Sequence, residues 1–268
     1  MKAVVIAWGF GTRMLPISKT IPKEMLPVWD KPIIQYTVES LVDAGITDIV
    51  MVTSQQKKAL EDYFDTNYQL EDILKKKWKL KELDAITLPT RMAHYAFVKQ
   101  LEVAGTGNAL LYAEPFVSDD YFMVIFPDTI YPPETFKDMM TAFAARPSSI
   151  IAVHKVPQED VYKYGVVALD GDRIIDFIEK PAVEDAPSSL IWNGAAILHK
   201  DIFTVLKDIA TDTRTWELHI PDGIKAMLVD YPSYALISRP YFDTGTVQGL
   251  MEANAKLYTD GYLFSPLS

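Results

Sequence analysis

The sequence predicts an α/β fold: a doubly wound, mostly parallel sheet flanked by helices, with a smaller mixed β lobe in its second half. Three observations carry this. The β-branched runs at residues 2–6 and 48–53 read as buried strands and bracket a segment, 33–44, with apolar residues at helical spacing. Strand, helix, strand in that order calls for a right-handed crossover and parallel pairing. Further on, the apolar run 121–126 stops on Pro127-Asp128, which puts a carboxylate where open α/β sheets gather ligand groups.

The first strand runs into Ala7-Trp8-Gly9-Phe10-Gly11-Thr12-Arg13 and on through Lys19 to Pro22-Lys23-Glu24-Met25-Leu26-Pro27. Two glycines one residue apart let backbone N–H groups converge without a Cβ in the way, which makes an anion cradle. Arg13 offers a planar fork for phosphate oxygens, and Lys23 a compact point charge. This reads as a loop that grips a nucleoside triphosphate. Neither common alternative fits. A dinucleotide fingerprint needs a third glycine where Met14 stands and an acidic residue ending the second strand, which instead closes Val52-Thr53-Ser54. The Gly-Lys-Ser/Thr phosphate loop is absent as well.

Gly45 caps the 33–44 helix. Residues 55–83 read as helical and charged, and the basic stretch Lys75-Lys76-Lys77-Trp78-Lys79-Leu80-Lys81 as a solvated helix face. A strand at 96–100 leads to the glycine-punctuated turn Ala104-Gly105-Thr106-Gly107, which opens a helix. The 121–128 strand, a helix at 133–145 and a strand at 149–154 complete the first half. A hairpin follows, 164–172 and 174–178, with an Asp170-Gly171 turn. Lys180, preceding Pro181, is expected to be extended. Then come a strand at 190–197, helices at 200–209 and 221–229, a strand at 234–237, Tyr241-Phe242-Asp243-Thr244-Gly245, and a closing helix at 246–258. No linker or repeat interrupts this, so the expectation is a single domain, 1–268, with halves meeting near residue 160.

At 268 residues and 49% hydrophobic, the chain can bury a large core. A net charge of −10 argues against nucleic acid as the main partner but not against a nucleotide, which needs only a few local cations. The chain has no cysteine, so it has no disulfide framework or thiol nucleophile, which suits a reducing compartment. It runs straight into a strand, with no leader and no membrane-length apolar run; the expectation is a soluble, cytoplasmic protein without a membrane partner.

The signature loop, followed by Asp30-Lys31-Pro32-Ile33-Ile34-Gln35-Tyr36 and Asp62-Tyr63-Phe64-Asp65-Thr66, resembles the sugar-nucleotide pyrophosphorylases, and within them the bacterial UTP–glucose-1-phosphate uridylyltransferases. The likeness recurs at intervals along essentially the whole chain. It implies a Rossmann-like nucleotide-diphospho-sugar transferase fold, with residues 1–160 as the nucleotide half and 161–268 as the sugar half. It implies UTP and glucose 1-phosphate as substrates, UDP-glucose and pyrophosphate as products, Mg²⁺ as cofactor, and a homo-oligomer, dimer or tetramer. Asp128 and Asp243 match the metal-ligating aspartates. Arg13 and Lys23 match the cations that stabilise the triphosphate and the leaving pyrophosphate. Gly9, Gly11 and Thr12 belong to the nucleotide loop, and Gln100 with Gly105 to the segment that reads the base. Lys180 matches the ligand of the sugar phosphate and Glu179 that of the sugar hydroxyls, while Gly165, Asn193 and Gly194 match positions lining the sugar pocket.

The chemistry so implied needs no protein nucleophile, because the attacking oxygen of a sugar phosphate is already anionic. What it needs is position and neutralisation of about four to five negative charges meeting at one phosphorus. Four positions depart from the family. Trp8, Leu101 and Ala104 stand where small residues or lysine are usual, and Trp216 stands where glycine or aspartate is usual beside the sugar. An indole covers well over about a hundred Å², so two of them in pocket-lining loops would narrow the site. The alternatives are therefore thymidylyl or other sugar-nucleotide transfer, and a catalytically weak binding protein on the same scaffold with an apolar ligand near Trp8 and Trp216.

Overall fold

The computed structural model describes residues 1–102, 104–209 and 216–260. β1 (Ala3–Ile6) is wholly buried and leads into the signature loop, which is wound into three short 3-10 turns at Thr12–Met14, Ile17–Lys19 and Lys23–Met25. A two-stranded ribbon follows, β2 (Pro27–Val28) with β3 (Lys31–Pro32), then α1 (Ile33–Asp43) and β4 (Asp48–Thr53). The charged helical stretch is three helices, α2 (Lys58–Phe64), α3 (Tyr68–Lys76) and α4 (Leu80–Met92). Its lysines pair within the surface, Lys75 with Glu71, Lys76 with Asp72 and Lys79 with Glu82, as a solvated face should. Then come β5 (His94–Lys99), α5 (Gly105–Leu111), β6 (Tyr121–Ile125), β7 (Thr129–Ile130), α6 (Glu134–Ala145) and β8 (Ser149–Lys155). The hairpin β9 (Gly165–Asp170) and β10 (Arg173–Glu179), and the long β11 (Leu190–His199), open the second half. α7 (Ile202–Asp208), α8 (Ile220–Met227), β12 (Ser233–Ile237), β13 (Phe242–Asp243) and α9 (Val247–Asp260) complete it.

Nine strands form one sheet in the order β5-β4-β1-β6-β11-β8-β12-β10-β9. The β5, β4, β1 and β6 block is parallel throughout; β11 then enters antiparallel to β6, and the second half continues the same sheet in mixed sense. Alternation along each strand divides the core into two layers. Val4, Ile6, Val50, Phe122 and Val124 pack on one face under α5, α7 and α8. Ala3, Val5, Met51, Met123 and Ile125 pack on the other under α1, α2 and α6. Burial on both faces is why these strands read as continuous apolar runs. No helix among the described residues is long and apolar enough to cross a membrane.

The sheet order determines where a ligand can bind. β1 has neighbours whose connections run to opposite sides, so the loops leaving β1 and β6 part and leave a crevice between them. Val5 lies opposite Ile125, so the signature loop and Pro127-Asp128 leave the sheet at the same edge.

Phe122 is fully buried, its ring stacked on Phe203 at 5.1 Å between centroids. Phe122→Ala should cost about 3–5 kcal/mol of unfolding free energy in urea titrations; a loss under about 1 kcal/mol would mean that this layer is not close-packed.

Candidate active site

A cavity of about 260 Å³ opens at this edge, and its lining includes Arg13, Asp128 and Asp243 from one group of elements and Gly165, Glu179 and Lys180 from another. Asp128 follows the end of β6. Asp243 arrives from far along the chain because β13 pairs antiparallel with β7, with Asp243 opposite Thr129. The join is tightened by Thr244, whose backbone N–H and hydroxyl both donate to the Asp128 carbonyl, at 2.9 and 2.8 Å. Gly245 keeps the space between the two carboxylates open. A Cβ there would stand 3.0 Å from Asp243 Oδ1, 3.1 Å from Asp128 Oδ2 and 3.0 Å from Arg13 Nη2.

The cations approach from the signature loop. Lys23 Nζ donates to Asp128 Oδ2 at 2.5 Å, and Arg13 Nη2 lies 3.9 Å from the same oxygen. The loop bends back through Gly11, whose φ of 65° lies in the left-handed region that glycine enters at no steric cost. Its carbonyl accepts from Ser18 Oγ at 2.7 Å.

These charges set one another's protonation. Burial alone would push the Asp128 carboxyl up, but Lys23, with Arg13 behind it, holds it below the ordinary carboxylate range. Burial likewise works against the Lys23 ammonium and is outweighed by Asp128 and Glu24, so Lys23 is held above the usual lysine value. Asp243 goes the other way: burial raises it and the charge of Asp128 adds to this, against a hydrogen bond from the Gly245 N–H. The site is a carboxylate pair with one member neutralised by lysine and the other short of positive charge. Among the described residues no three His, Asp or Glu side chains are grouped so as to hold a metal ion; two carboxylates such as these could hold a divalent ion that takes its remaining ligands elsewhere.

The sequence matches the nucleotidyl transferase family across residues 2–260. The chain belongs to that family. Among similar proteins, a Methanocaldococcus jannaschii protein assigned as a UTP–glucose-1-phosphate uridylyltransferase is 42% identical over 96% of this chain and 92% of its own. The UTP–glucose-1-phosphate uridylyltransferase YngB of Bacillus subtilis is 35% identical over 96% and 89%. A crystal structure of UDP-glucose pyrophosphorylase complexed with UDP-glucose superposes with a TM-score of 0.84 at 36% identity, over 97% of this chain and 98% of that one.

In this nucleotidyltransferase the β9–β10 hairpin also contributes to the cavity wall. Gly165 pairs with Glu179, and the Lys180 N–H extends the ladder by donating to the Tyr164 carbonyl at 3.0 Å. Lys180 is not extended, as a residue before proline is expected to be. Its φ is 44°, in the left-handed region, at the point where the chain leaves the sheet after that last ladder bond. Strained backbone of this kind collects at functional sites. Its Nζ lies 3.4 Å from Glu179 Oε1. Asn193 and Gly194 face the same cavity from β11, where Phe126 donates its N–H to the Gly194 carbonyl at 2.9 Å.

Not every residue singled out from the sequence lines this cavity. Gln100 is buried behind it, with Nε2 donating to Asn108 Oδ1 at 2.7 Å, and Gly105 packs against the Leu218 backbone while its neighbour Thr106 reaches the cavity. Gly9 borders a small separate cavity behind the loop, and Thr12 is exposed at the start of the first turn. Nor do the tryptophans narrow the site. Trp8 turns into the core layer under α5, and Trp216 is 71% exposed, outside the cavity lining. Leu101 is exposed as well, and Ala104 lies outside the cavity lining, its carbonyl accepting from the Leu218 N–H. The lining also includes Phe126, Tyr164, Trp192 and Tyr241, none of which was singled out from the sequence as a site residue, although Tyr164 adjoins Gly165 and Trp192 adjoins Asn193.

The opposed shifts of the two aspartates have opposite stability signs. A carboxyl raised on folding favours the folded state below its unfolded pKa, and that contribution is lost as pH climbs through the folded value; a depressed carboxyl contributes above its unfolded pKa and loses this as pH falls through the folded value. In EDTA, Asp243→Asn should therefore melt higher than wild type at about pH 8, the gap closing toward about pH 4, while Asp128→Asn melts lower at about pH 8. A gap for Asp243→Asn that is constant with pH would show that this carboxylate is not penalised in the fold.

Proposed function

We propose that this nucleotidyltransferase joins UTP to glucose 1-phosphate, giving UDP-glucose and pyrophosphate. The observation carrying this reading is that Asp128, Asp243 and Arg13, with Lys23 on Asp128, line the same cavity as Glu179, Lys180 and Gly165. A triphosphate beside the aspartates and a sugar phosphate beside Lys180 place the two phosphoryl groups among the cations. An oxygen of the sugar phosphate attacks the α-phosphorus of UTP; the bond from that phosphorus to the bridging oxygen breaks, and pyrophosphate leaves with the electron pair. The attacking oxygen is already ionised, so no side chain has to remove a proton. Arg13 and Lys23 neutralise charge as it builds on the leaving group. Lys180 holds the sugar phosphate in line and Glu179 accepts from sugar hydroxyls.

Asp128 and Asp243 are the residues that would hold Mg²⁺, and the open space that Gly245 leaves between them fits that role. When bound, the ion supplies charge neutralisation and orients phosphate oxygens. The names of the relatives support UTP and glucose 1-phosphate over other pairs, as do the Pro22–Pro27 stretch and the Asp62-Tyr63-Phe64-Asp65-Thr66 stretch. We also propose a homo-oligomer in a reducing compartment.

With Mg²⁺, UTP and glucose 1-phosphate the protein should release pyrophosphate well above background, and faster than with dTTP. No release with any triphosphate and sugar phosphate would end this reading. Asp128→Ala and Lys23→Ala should each lower kcat at least about a hundredfold, the effect of losing one preorganised charge. Near-wild-type turnover in both would mean that the reacting centre lies elsewhere.

A further inference from the structure

One buried charged pair takes no part in the chemistry above. Lys57 Nζ donates to Glu24 Oε1 at 2.6 Å, and the two residues are 4% and 1% exposed. Glu24 adjoins Lys23 on the same 3-10 turn, Lys23–Met25. The two side chains diverge: Lys23 reaches Asp128 at the edge of the cavity, whereas Glu24 points inward to Lys57. Lys57 is itself anchored, its N–H donating to the Ser54 carbonyl at 3.0 Å and its carbonyl accepting from the Leu60 N–H at 3.0 Å, at the junction of β4 with α2. The turn that carries Lys23 is thus tied to the rigid edge of the sheet by one ion pair.

Stability does not account for such a pair. Removing two charges from water costs about what their attraction returns, and apolar residues of similar volume commonly serve a fold as well or better. The Glu24 carboxylate is not even fully satisfied, since its Oε2 is buried without a hydrogen-bond partner. An ion pair does supply direction: it holds the turn at one distance from β4, and with it the root of the Lys23 side chain. A misplacement of about 1 Å in a group of this kind costs on the order of a hundredfold in rate.

We propose that Glu24 and Lys57 are positioning residues for nucleotidyl transfer, their buried ion pair setting the turn that aims Lys23 at Asp128. This rests on the functional reading above. Burial lowers the Lys57 pKa and the charge of Glu24 opposes that shift.

The test is the double variant Glu24→Gln/Lys57→Met, which removes both charges at similar volume and leaves no buried ion unpaired. Thermal unfolding is measured beside steady-state pyrophosphate release with Mg²⁺, UTP and glucose 1-phosphate. The expected result is a melting temperature within about 5 °C of wild type, a kcat at least about tenfold lower, and a KM for UTP within about threefold, because aim rather than affinity is lost. A double variant that melts and turns over like wild type overturns the proposal, since the pair would then be packing alone. Should the double variant not fold, Glu24→Asp keeps both charges and draws the carboxylate back by one methylene; it should lower kcat at least about fivefold with UTP KM little changed, and wild-type kcat there overturns the proposal equally. Absence of pyrophosphate release by the wild type overturns the functional reading and this inference with it. Release by the wild type with an undiminished variant overturns this inference alone.

Discussion

The site depends on the ion pair between Lys23 and Asp128. Two carboxylates brought to one point repel each other, and burial penalises both. The fold resolves this unequally. Lys23, 2.5 Å from Asp128, keeps that carboxylate charged, while Asp243 has no such partner among the described residues and its pKa is raised. The result is a pocket with a standing demand for positive charge between its two acids and a standing supply of it, from Arg13 and Lys23, on the side of the signature loop. Anionic phosphates bridged by a divalent cation would meet both needs at once.

Topology makes that arrangement possible. β1 and β6 lie side by side and parallel, so their loops diverge from one edge. β11 enters antiparallel at that point, which turns Asn193 and Gly194 toward the same crevice. The short β7–β13 ribbon does the long-range work, carrying Asp243 back to the tip of β6. The second half is therefore no separate lid: it shares the sheet, and the cavity is lined jointly by both halves.

Much of this was legible in the sequence, for physical reasons that can be named. Strands buried on both faces have to be continuous apolar runs, and residues 2–6, 48–53 and 121–126 are that. A strand tip is where ligand groups collect, so Asp128 stood out, and Asp243 did so through its similar context. The local signal failed where long-range geometry decides. Lys180 before a proline reads as extended, yet at the end of the β10 ladder it takes a φ of 44°. Trp8 and Trp216 sit in loops near the site, but direction is not written in composition, and both indoles turn away from the cavity. Gln100 and Gly105 are near the site in sequence terms and buried beside it in space. Nothing in the sequence joins Glu24 to Lys57, because a charge pair 33 positions apart leaves no periodic trace.

The claim on which the account turns is that Asp128 and Asp243 address one ion beside the phosphates. Crystals grown with Mn²⁺ and UDP-glucose, with data collected at a wavelength where manganese scatters anomalously, test it directly. One anomalous peak is expected in the space beside Gly245, in contact with both carboxylates and with a phosphate oxygen. A nucleotide sugar bound in the cavity with its manganese elsewhere, or with Asp243 turned away from it, would show that the two aspartates do not share an ion.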